Sequence, residues 1–264
     1  MAKTIKLTVT TNWNDLTNTQ LKKVAKLFFT PQKNEAIQAF RIFKIVSNYK
    51  WYKFKLLRKI VTLFKVRTLT KIKQTYSFLF QKQDLTRFIK SVRIGFKKYY
   101  APADRLNNLS IGEFSVCEDL YLGYLRNANK PEVSNTYLQY LFAVLYINNK
   151  KSVRPQFQKE SLDTLVDHIS KVKQTYLLTT LLSYKGCRDA IVKNPKYRAI
   201  FPKPKESEQN QPKKALEIPT SSGWSDVILS FSGKLFGDYQ KTYNTNLYTF
   251  LDAYEKELET INQK

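Results

Sequence analysis

The spacing of hydrophobic residues divides the N-terminal part of the chain into one strand and several helices. Residues 4–10 alternate between apolar and polar and are rich in β-branched side chains, which is typical of a short strand. Apolar residues at helical spacing predict helices over 20–28 and 34–48, and Pro31 ends the first of them. Residues 50–65 place most apolar side chains on one arc and most cations opposite, which predicts a basic amphipathic helix.

Two shorter elements are predicted before residue 100. Residues 75–80 combine aromatic and β-branched side chains, which favours a second short strand. A helix from about 85 to 96 follows Asp84, whose side chain is a natural N-cap.

The region from 101 to 201 is predicted to be a helical core. Ser110 and Glu113 have the spacing of a capping box, which marks the start of a helix. Residues 134–147 are apolar on nearly all sides and predict the central buried helix. A later helical pattern stops at Gly186, which we expect just beyond the helix end.

The C-terminal part is separated from this core by a change in composition. Residues 202–216 are rich in Pro, Lys, Glu and Gln and predict an exposed, flexible linker. Within 217–264, two helices are expected at 224–236 and 246–261. The predicted fold is mainly α, with a helical bundle-like core, a small N-terminal β element and a C-terminal helical hairpin.

Charge is distributed very unevenly. The formal net charge is +24, and residues 1–100 alone carry +20, with no acid at all in 36–83. Such a surface attracts nucleic acid, anionic lipid or an acidic protein. A second interpretation remains open, because Lys outnumbers Arg by 35 to 10 and the abundant residue types have A/T-rich codons. The excess could then reflect base composition and a solvated basic face.

The residues available for catalysis are few. His168 is the only histidine, and Cys117 and Cys187 lie in separate segments without a zinc or disulfide pattern. We expect both cysteines to be buried thiols. The longest apolar run, 140–147, is far too short to span a bilayer. We therefore predict no catalytic residue, no metal site, no cofactor, no transmembrane segment and no enzymatic activity.

The basic amphipathic segment begins with interleaved aromatic and cationic residues at 50–59. Aromatic side chains beside a cationic track are typical of single-stranded nucleic acid binding. An ordinary solvated helix face, or a face for an acidic protein or a membrane surface, remains an alternative. The candidate anion- or nucleic-acid-binding residues are Lys50, Lys53, Lys55, Arg58, Lys59, Lys65, Arg67, Lys71 and Lys73.

Several weak motifs occur in a characteristic order along the chain. The opening segment 13–21 has the pattern Trp-x-x-Leu-Thr-x-x-Gln, and a second block combines 109–114 with 141–146. Residues 184–188 continue that block, and a C-terminal block begins at 223–229. In combination, these motifs resemble helical proteins of tailed phages and prophages of Bacteroidota, which are tail assembly chaperones.

This resemblance implies a non-enzymatic tail assembly factor that binds the tape measure protein, or another tail protein, during morphogenesis. It also implies a phage-encoded protein in the bacterial host cytoplasm, or one that remains in the virion. The candidate client-binding residues are the C-terminal aromatics Trp224, Phe236, Tyr239, Tyr243, Phe250 and Tyr254. These side chains could instead pack the C-terminal helices onto the main body.

The alternatives are a nucleic-acid-binding protein that uses the basic 36–83 surface, and a structural virion protein. Homo-oligomerisation is left open by the sequence.

Overall fold

The first two helices of the described residues pack against each other. The computed structural model describes residues 9–30, 35–47, 73–81, 83–150, 154–202 and 218–263. Helix α1 spans Asn18–Phe29 and helix α2 spans Glu35–Val46. Thr17 caps α1 in a reciprocal capping box with Gln20. The Gln20 amide also donates to the carbonyls of Ile45 (2.8 Å) and Val46 (3.2 Å), which ties α1 to the end of α2.

Two of the predicted N-terminal elements lie wholly or mostly outside the described residues. The basic helix at 50–65 lies outside the described residues, and so does the predicted strand at 4–10 except for residues 9 and 10, which are not in a strand. The predicted strand at 75–80 is wrong, because this segment forms a single helical turn at Ser77–Leu79.

The helix predicted over 85–96 is also wrong, because its second half is a β-hairpin. Strand β1 (Ser91–Ile94) pairs antiparallel with β2 (Lys97–Tyr100). Val92 and Tyr99 face each other across the pair and are almost completely buried. The alternation of one buried and one exposed position, rather than helical spacing, therefore governs this segment.

The core consists of helices that follow the hairpin: α3 (Ile111–Arg126), α4 (Pro131–Leu145), α5 (Leu162–Ile169) and α6 (Gln174–Val192). Helix α3 packs along α4, α4 packs against α5 and α6, and α1 packs on α6. The capping box of Ser110 and Glu113 is confirmed at the start of α3. The end of α4 is buried, as its apolar composition predicts.

Gly186 does not end a helix, contrary to the sequence-based prediction. It lies inside α6, and its role is close packing. A Cβ atom there would lie 2.0 Å from the backbone oxygen of Leu85. The absent side chain lets the segment before β1 cross α6 at this point.

Over residues 218–263 the structure has three helices where two were predicted: α7 (Trp224–Phe231), α8 (Tyr239–Tyr243) and α9 (Leu247–Asn262). Helix α7 ends early because Ser232 is extended and Gly233 has a φ of +76°. The region is docked on the core, since Leu247 N–H donates to Leu109 (2.9 Å) and Ile111 N–H donates to Thr245 (2.9 Å). The mainly α fold is confirmed.

Candidate functional site

Most of the predicted cationic site falls outside the described residues. Of the nine candidate anion-binding residues, the structure describes Lys73 alone, which is exposed. The other eight, between Lys50 and Lys71, lie in the undescribed part of the chain. The proposed role of this basic segment stays a prediction.

A cation-lined groove does lie between α1 and α2. Lys23 and Lys26 on α1 line it together with Arg41 and Lys44 on α2, and all four are exposed. The groove encloses about 470 Å³ and its wall includes Leu27. Among the described residues that line it, none is acidic. Four cations around one groove form a surface suited to a polyanion.

Sequence reasoning missed this groove, although part of the signal is local. Lys23 and Lys26 are three residues apart, as are Arg41 and Lys44, and this spacing places each pair on one helix face. The packing that turns the two faces toward one groove comes from buried contacts such as Gln20 with Ile45. Those contacts join residues that are distant in the sequence, so the spacing of residues within each helix does not predict them.

The predicted client-binding aromatics lie in the packed C-terminal region. Phe250 is fully buried, Trp224 and Tyr243 are at most 9% exposed, and Phe236 and Tyr254 are half-buried. In this arrangement the buried members offer a partner little surface. Their proposed role in client binding stays a prediction.

Four of these aromatics, Trp224, Phe236, Phe250 and Tyr254, form one cluster with Phe231 around α7 and α9. Tyr243 instead stacks with Phe157 and Tyr239. Phe231 lies 5.0 Å from Phe250 and 5.6 Å from Tyr254, measured between ring centroids. Phe236 lies 5.7 Å from Phe250, and Trp224 lies 6.3 Å from Tyr254. Phe231 and Phe236 anchor the segment that joins α7 to α8, because both rings pack in this cluster.

That segment carries apolar side chains into solvent. Leu229 is 62% exposed, Leu235 is 66% exposed and Tyr239 is 41% exposed. The Gly233 N–H donates to the Gly237 carbonyl at 2.6 Å, which closes a tight loop with Leu235 inside it. We call residues 229–239, from the last turn of α7 through the connection to the first residue of α8, the apolar loop. Exposed apolar side chains grouped in one segment are a common mark of a protein docking surface.

The adjacent acids Glu118 and Asp119 on α3 have structural partners. Glu118 accepts hydrogen bonds from the Tyr184 hydroxyl (2.7 Å) and from Arg188 Nε (2.8 Å). Burial raises the pKa of Glu118, and the charge of Arg188 opposes that rise. Asp119 accepts from the Ser222 N–H at 2.7 Å. These contacts join α3 to α6 and to the segment before α7.

A second buried ion pair joins α3 to the end of α4. Glu113 and Arg154 approach to 2.7 Å, and each side chain is 4% exposed. Arg154 also donates to the carbonyls of Val144 (2.6 Å) and Leu145 (3.1 Å). All three interactions satisfy groups that would otherwise be buried without partners.

The C-terminal helix is held by a third polar contact. Asp252 accepts from the Tyr197 hydroxyl at 2.9 Å and lies 2.6 Å from the Lys196 ammonium. Partial burial would raise the pKa of Asp252, but hydrogen bonds from Lys196 and Tyr197 outweigh it and lower that pKa.

Comparison of this chain with models of protein families, with curated proteins and with solved structures gives no match. The candidate sites therefore rest on the chain's own geometry. Within the described residues, no group of three metal-ligating side chains is close enough to hold an ion. Nor is any described helix both long enough and apolar enough to cross a bilayer.

Proposed function

We propose that this chain is a non-enzymatic phage tail assembly factor that binds the tape measure protein during tail morphogenesis. The ordered motifs described above suggest this class of protein. The observation that carries the proposal is the apolar loop at 229–239, which exposes Leu229, Leu235 and Tyr239 above a packed aromatic base.

The loop has the physical properties of a docking surface for an apolar client. Full burial of one leucine side chain contributes about 1.5–3 kcal/mol, and Leu229 and Leu235 are 62% and 66% exposed, so burying what remains of both offers about 2–4 kcal/mol before the costs of association. The aromatic base beneath them limits the conformational entropy that binding would remove. An amphipathic helix of the client, laid along the loop, would supply the complementary apolar face.

Co-expression with the tape measure protein encoded in the same phage genome tests this proposal. We expect a complex that survives high salt, and a client that is more soluble with the chain than without it. The double variant Leu229→Asp/Leu235→Asp should abolish the complex. Val133→Asp, at a 42% exposed position on α4, is the matched control and should bind normally. No complex with the native chain would refute the proposal.

The place of the protein in the phage cycle is part of the proposal. A chaperone acts in the host cytoplasm and leaves before the particle matures, whereas a structural component stays in it. Mass spectrometry of purified virions separates the two. Detection of the chain at stoichiometric amounts would replace the chaperone role with that of a structural virion protein.

A second candidate function, nucleic acid binding, is favoured by the groove between α1 and α2. Its four cations face a common volume without an acid among the described lining residues. Binding of a labelled oligonucleotide should weaken steeply with salt, because each neutralised phosphate releases counterions.

Charge reversal in the groove tests this second candidate. Lys23→Glu/Lys26→Glu should weaken oligonucleotide binding at least ten-fold, as roughly two phosphate contacts become repulsive. The control is Lys130→Glu/Lys159→Glu, which makes the same change of four in net charge at two exposed positions outside the groove. Equal losses in both variants would point to net charge alone rather than to the groove.

A further inference from the structure

The β-hairpin carries a side chain that the fold does not use. Phe96 stands at the tip of the hairpin and is completely exposed, with a relative accessibility of 107%. Its neighbours in the turn are Gly95, with a φ of +56°, and the paired residues Ile94 and Lys97. Phe96 has a negative φ, so the turn has the type II′ pattern that suits a tight hairpin.

The hairpin is firmly attached at its base. Tyr100 and Ile147 exchange two backbone hydrogen bonds (2.8 and 3.1 Å), and the Tyr146 hydroxyl donates to the Ile89 carbonyl at 2.9 Å. The side chains of Val92 in β1 and Tyr99 in β2 are buried in the core. The tip therefore holds Phe96 in solvent on a fixed support.

The outer side of the hairpin is cationic. Arg93 and Lys98 are directly opposed across the two strands and are exposed on the face away from the buried Val92–Tyr99 pair. Lys97 is exposed beside the tip, on the other face of the hairpin. Like charges directly opposite each other destabilise a sheet. Within the described residues none of these three cations forms an ion pair, although the Lys98 ammonium lies 5.2 Å from the centre of the Tyr100 ring. The sequence contains no acid between Asp84 and Asp104.

We propose that this hairpin binds single-stranded nucleic acid, with Phe96 stacking on a base and Arg93, Lys97 and Lys98 contacting the flanking phosphates. A strand of nucleic acid supplies a flat apolar face and a negative charge in each nucleotide, which matches one exposed aromatic ring at a tip whose strands carry three exposed cations. A phosphate between Arg93 and Lys98 would also relieve their mutual repulsion. A lone aromatic ring offers less apolar area than stable attachment to a membrane surface requires.

This inference rests on the second candidate function, nucleic acid binding, and adds a contact site separate from the groove between α1 and α2. The measurement is fluorescence anisotropy of the full chain with a labelled single-stranded oligothymidylate. We expect Phe96→Leu to weaken binding about ten-fold, because leucine keeps the apolar area but lacks the stacking face. Phe96→Trp should bind within about two-fold of the native chain.

The matched control is Phe80→Leu, because Phe80 is the other strongly exposed phenylalanine in the described residues, at 58%. It should bind like the native chain.

The triple variant Arg93→Gln/Lys97→Gln/Lys98→Gln should reduce the slope of log affinity against log salt by about 2, since each single-strand phosphate contact contributes about 0.7.

Three outcomes would overturn the inference. The first is unchanged affinity of Phe96→Leu for the oligonucleotide while Lys23→Glu/Lys26→Glu loses binding, which would retain the groove and exclude the hairpin. The second is binding of the native chain to phosphatidylserine vesicles but not to the oligonucleotide. The third is loss of the tape measure complex in Phe96→Leu without any oligonucleotide binding by the native chain. In the last two cases the nucleic acid candidate fails as well.

Discussion

Replacement of Gly186 by alanine tests the contact that positions the hairpin. In the interior of a helix, alanine is normally about 1 kcal/mol more favourable than glycine. At Gly186 the added Cβ would lie 2.0 Å from the oxygen and 2.9 Å from the carbonyl carbon of Leu85. Both are backbone atoms, so either α6 or the segment that contains Leu85 must move.

The cost of that movement can be estimated from what holds the segment. Gln83 donates to the Leu182 carbonyl at 2.7 Å, and the Arg105 N–H donates to the Thr86 carbonyl at 2.7 Å. Overpacking costs about 1–3 kcal/mol, and each strained hydrogen bond is worth about 1 kcal/mol. After the gain in helix propensity is subtracted, we expect Gly186→Ala to destabilise the protein by about 2 kcal/mol.

The assay is urea unfolding of both proteins, followed by far-ultraviolet circular dichroism. Ser183→Ala is the matched control, one turn earlier on the same helix. Ser183 is fully buried, and its hydroxyl oxygen has no hydrogen-bond partner among the described residues. Its removal should be neutral or slightly stabilising, by less than about 1 kcal/mol. A Gly186→Ala protein as stable as the native one would refute the close approach of Leu85.

Three further predictions concern buried and partly buried polar groups. Arg154→Met should lower the free energy of unfolding in urea by about 3–5 kcal/mol, because it leaves the buried Glu113 carboxylate without its ion-pair partner. Adding Glu113→Gln should restore much of that free energy. Cys117 and Cys187 are buried, so neither should react with Ellman's reagent in the native protein at about pH 8, and both should react in denaturant. Burial raises the pKa of both thiols, to about 12 for Cys187. Fast labelling of the native protein would contradict this prediction. The lowered pKa of Asp252 stabilises the fold above the unfolded pKa near 4, and the benefit is lost as pH falls through the folded value. Unfolding at several pH values should therefore find Asp252→Asn destabilised near neutrality, with the difference from the native protein shrinking at acidic pH.

The parts of the fold that the sequence predicts well are those with local causes. The capping box of Ser110 and Glu113 satisfies backbone groups within one turn, so its spacing is sufficient evidence for the start of α3. The long helix α4 is predicted for a similar reason, because an apolar composition on nearly all sides requires burial.

The errors arise where distant residues decide the structure. Phe88, Ile89 and Val92 fit one face of a helix, but Val92 also fits an alternating strand, and its pairing with Tyr99 decides the outcome. Glycine is the residue most often found just after a helix end, which suggested that the helix stops at Gly186. The structure instead requires a glycine inside the helix, because the backbone of Leu85, about 100 residues earlier in the chain, leaves no room for a Cβ atom. Neither partner can be inferred from the segment alone.

The candidate sites divide in the same way. The C-terminal aromatics are visible in the sequence, but periodicity does not say which of them pack inward. Phe250 is buried, while Tyr239 on the neighbouring helix is exposed. The hairpin escaped prediction altogether, because the Gly95–Phe96 turn lies within a segment whose spacing also suits a helix.

The two candidate functions use different elements, so they can be separated by mutation. The apolar loop comprises the end of α7, its connection to α8 and the first residue of α8, whereas the hairpin and the groove belong to the basic N-terminal part of the chain. Leu229→Asp/Leu235→Asp should therefore abolish the tape measure complex and leave oligonucleotide affinity within about two-fold of native, since two added negative charges change a net charge of +24 very little. Lys23→Glu/Lys26→Glu should have the opposite effect. If both variants lost both activities, one shared surface or a common folding defect would explain the losses, and circular dichroism of each variant would decide between them.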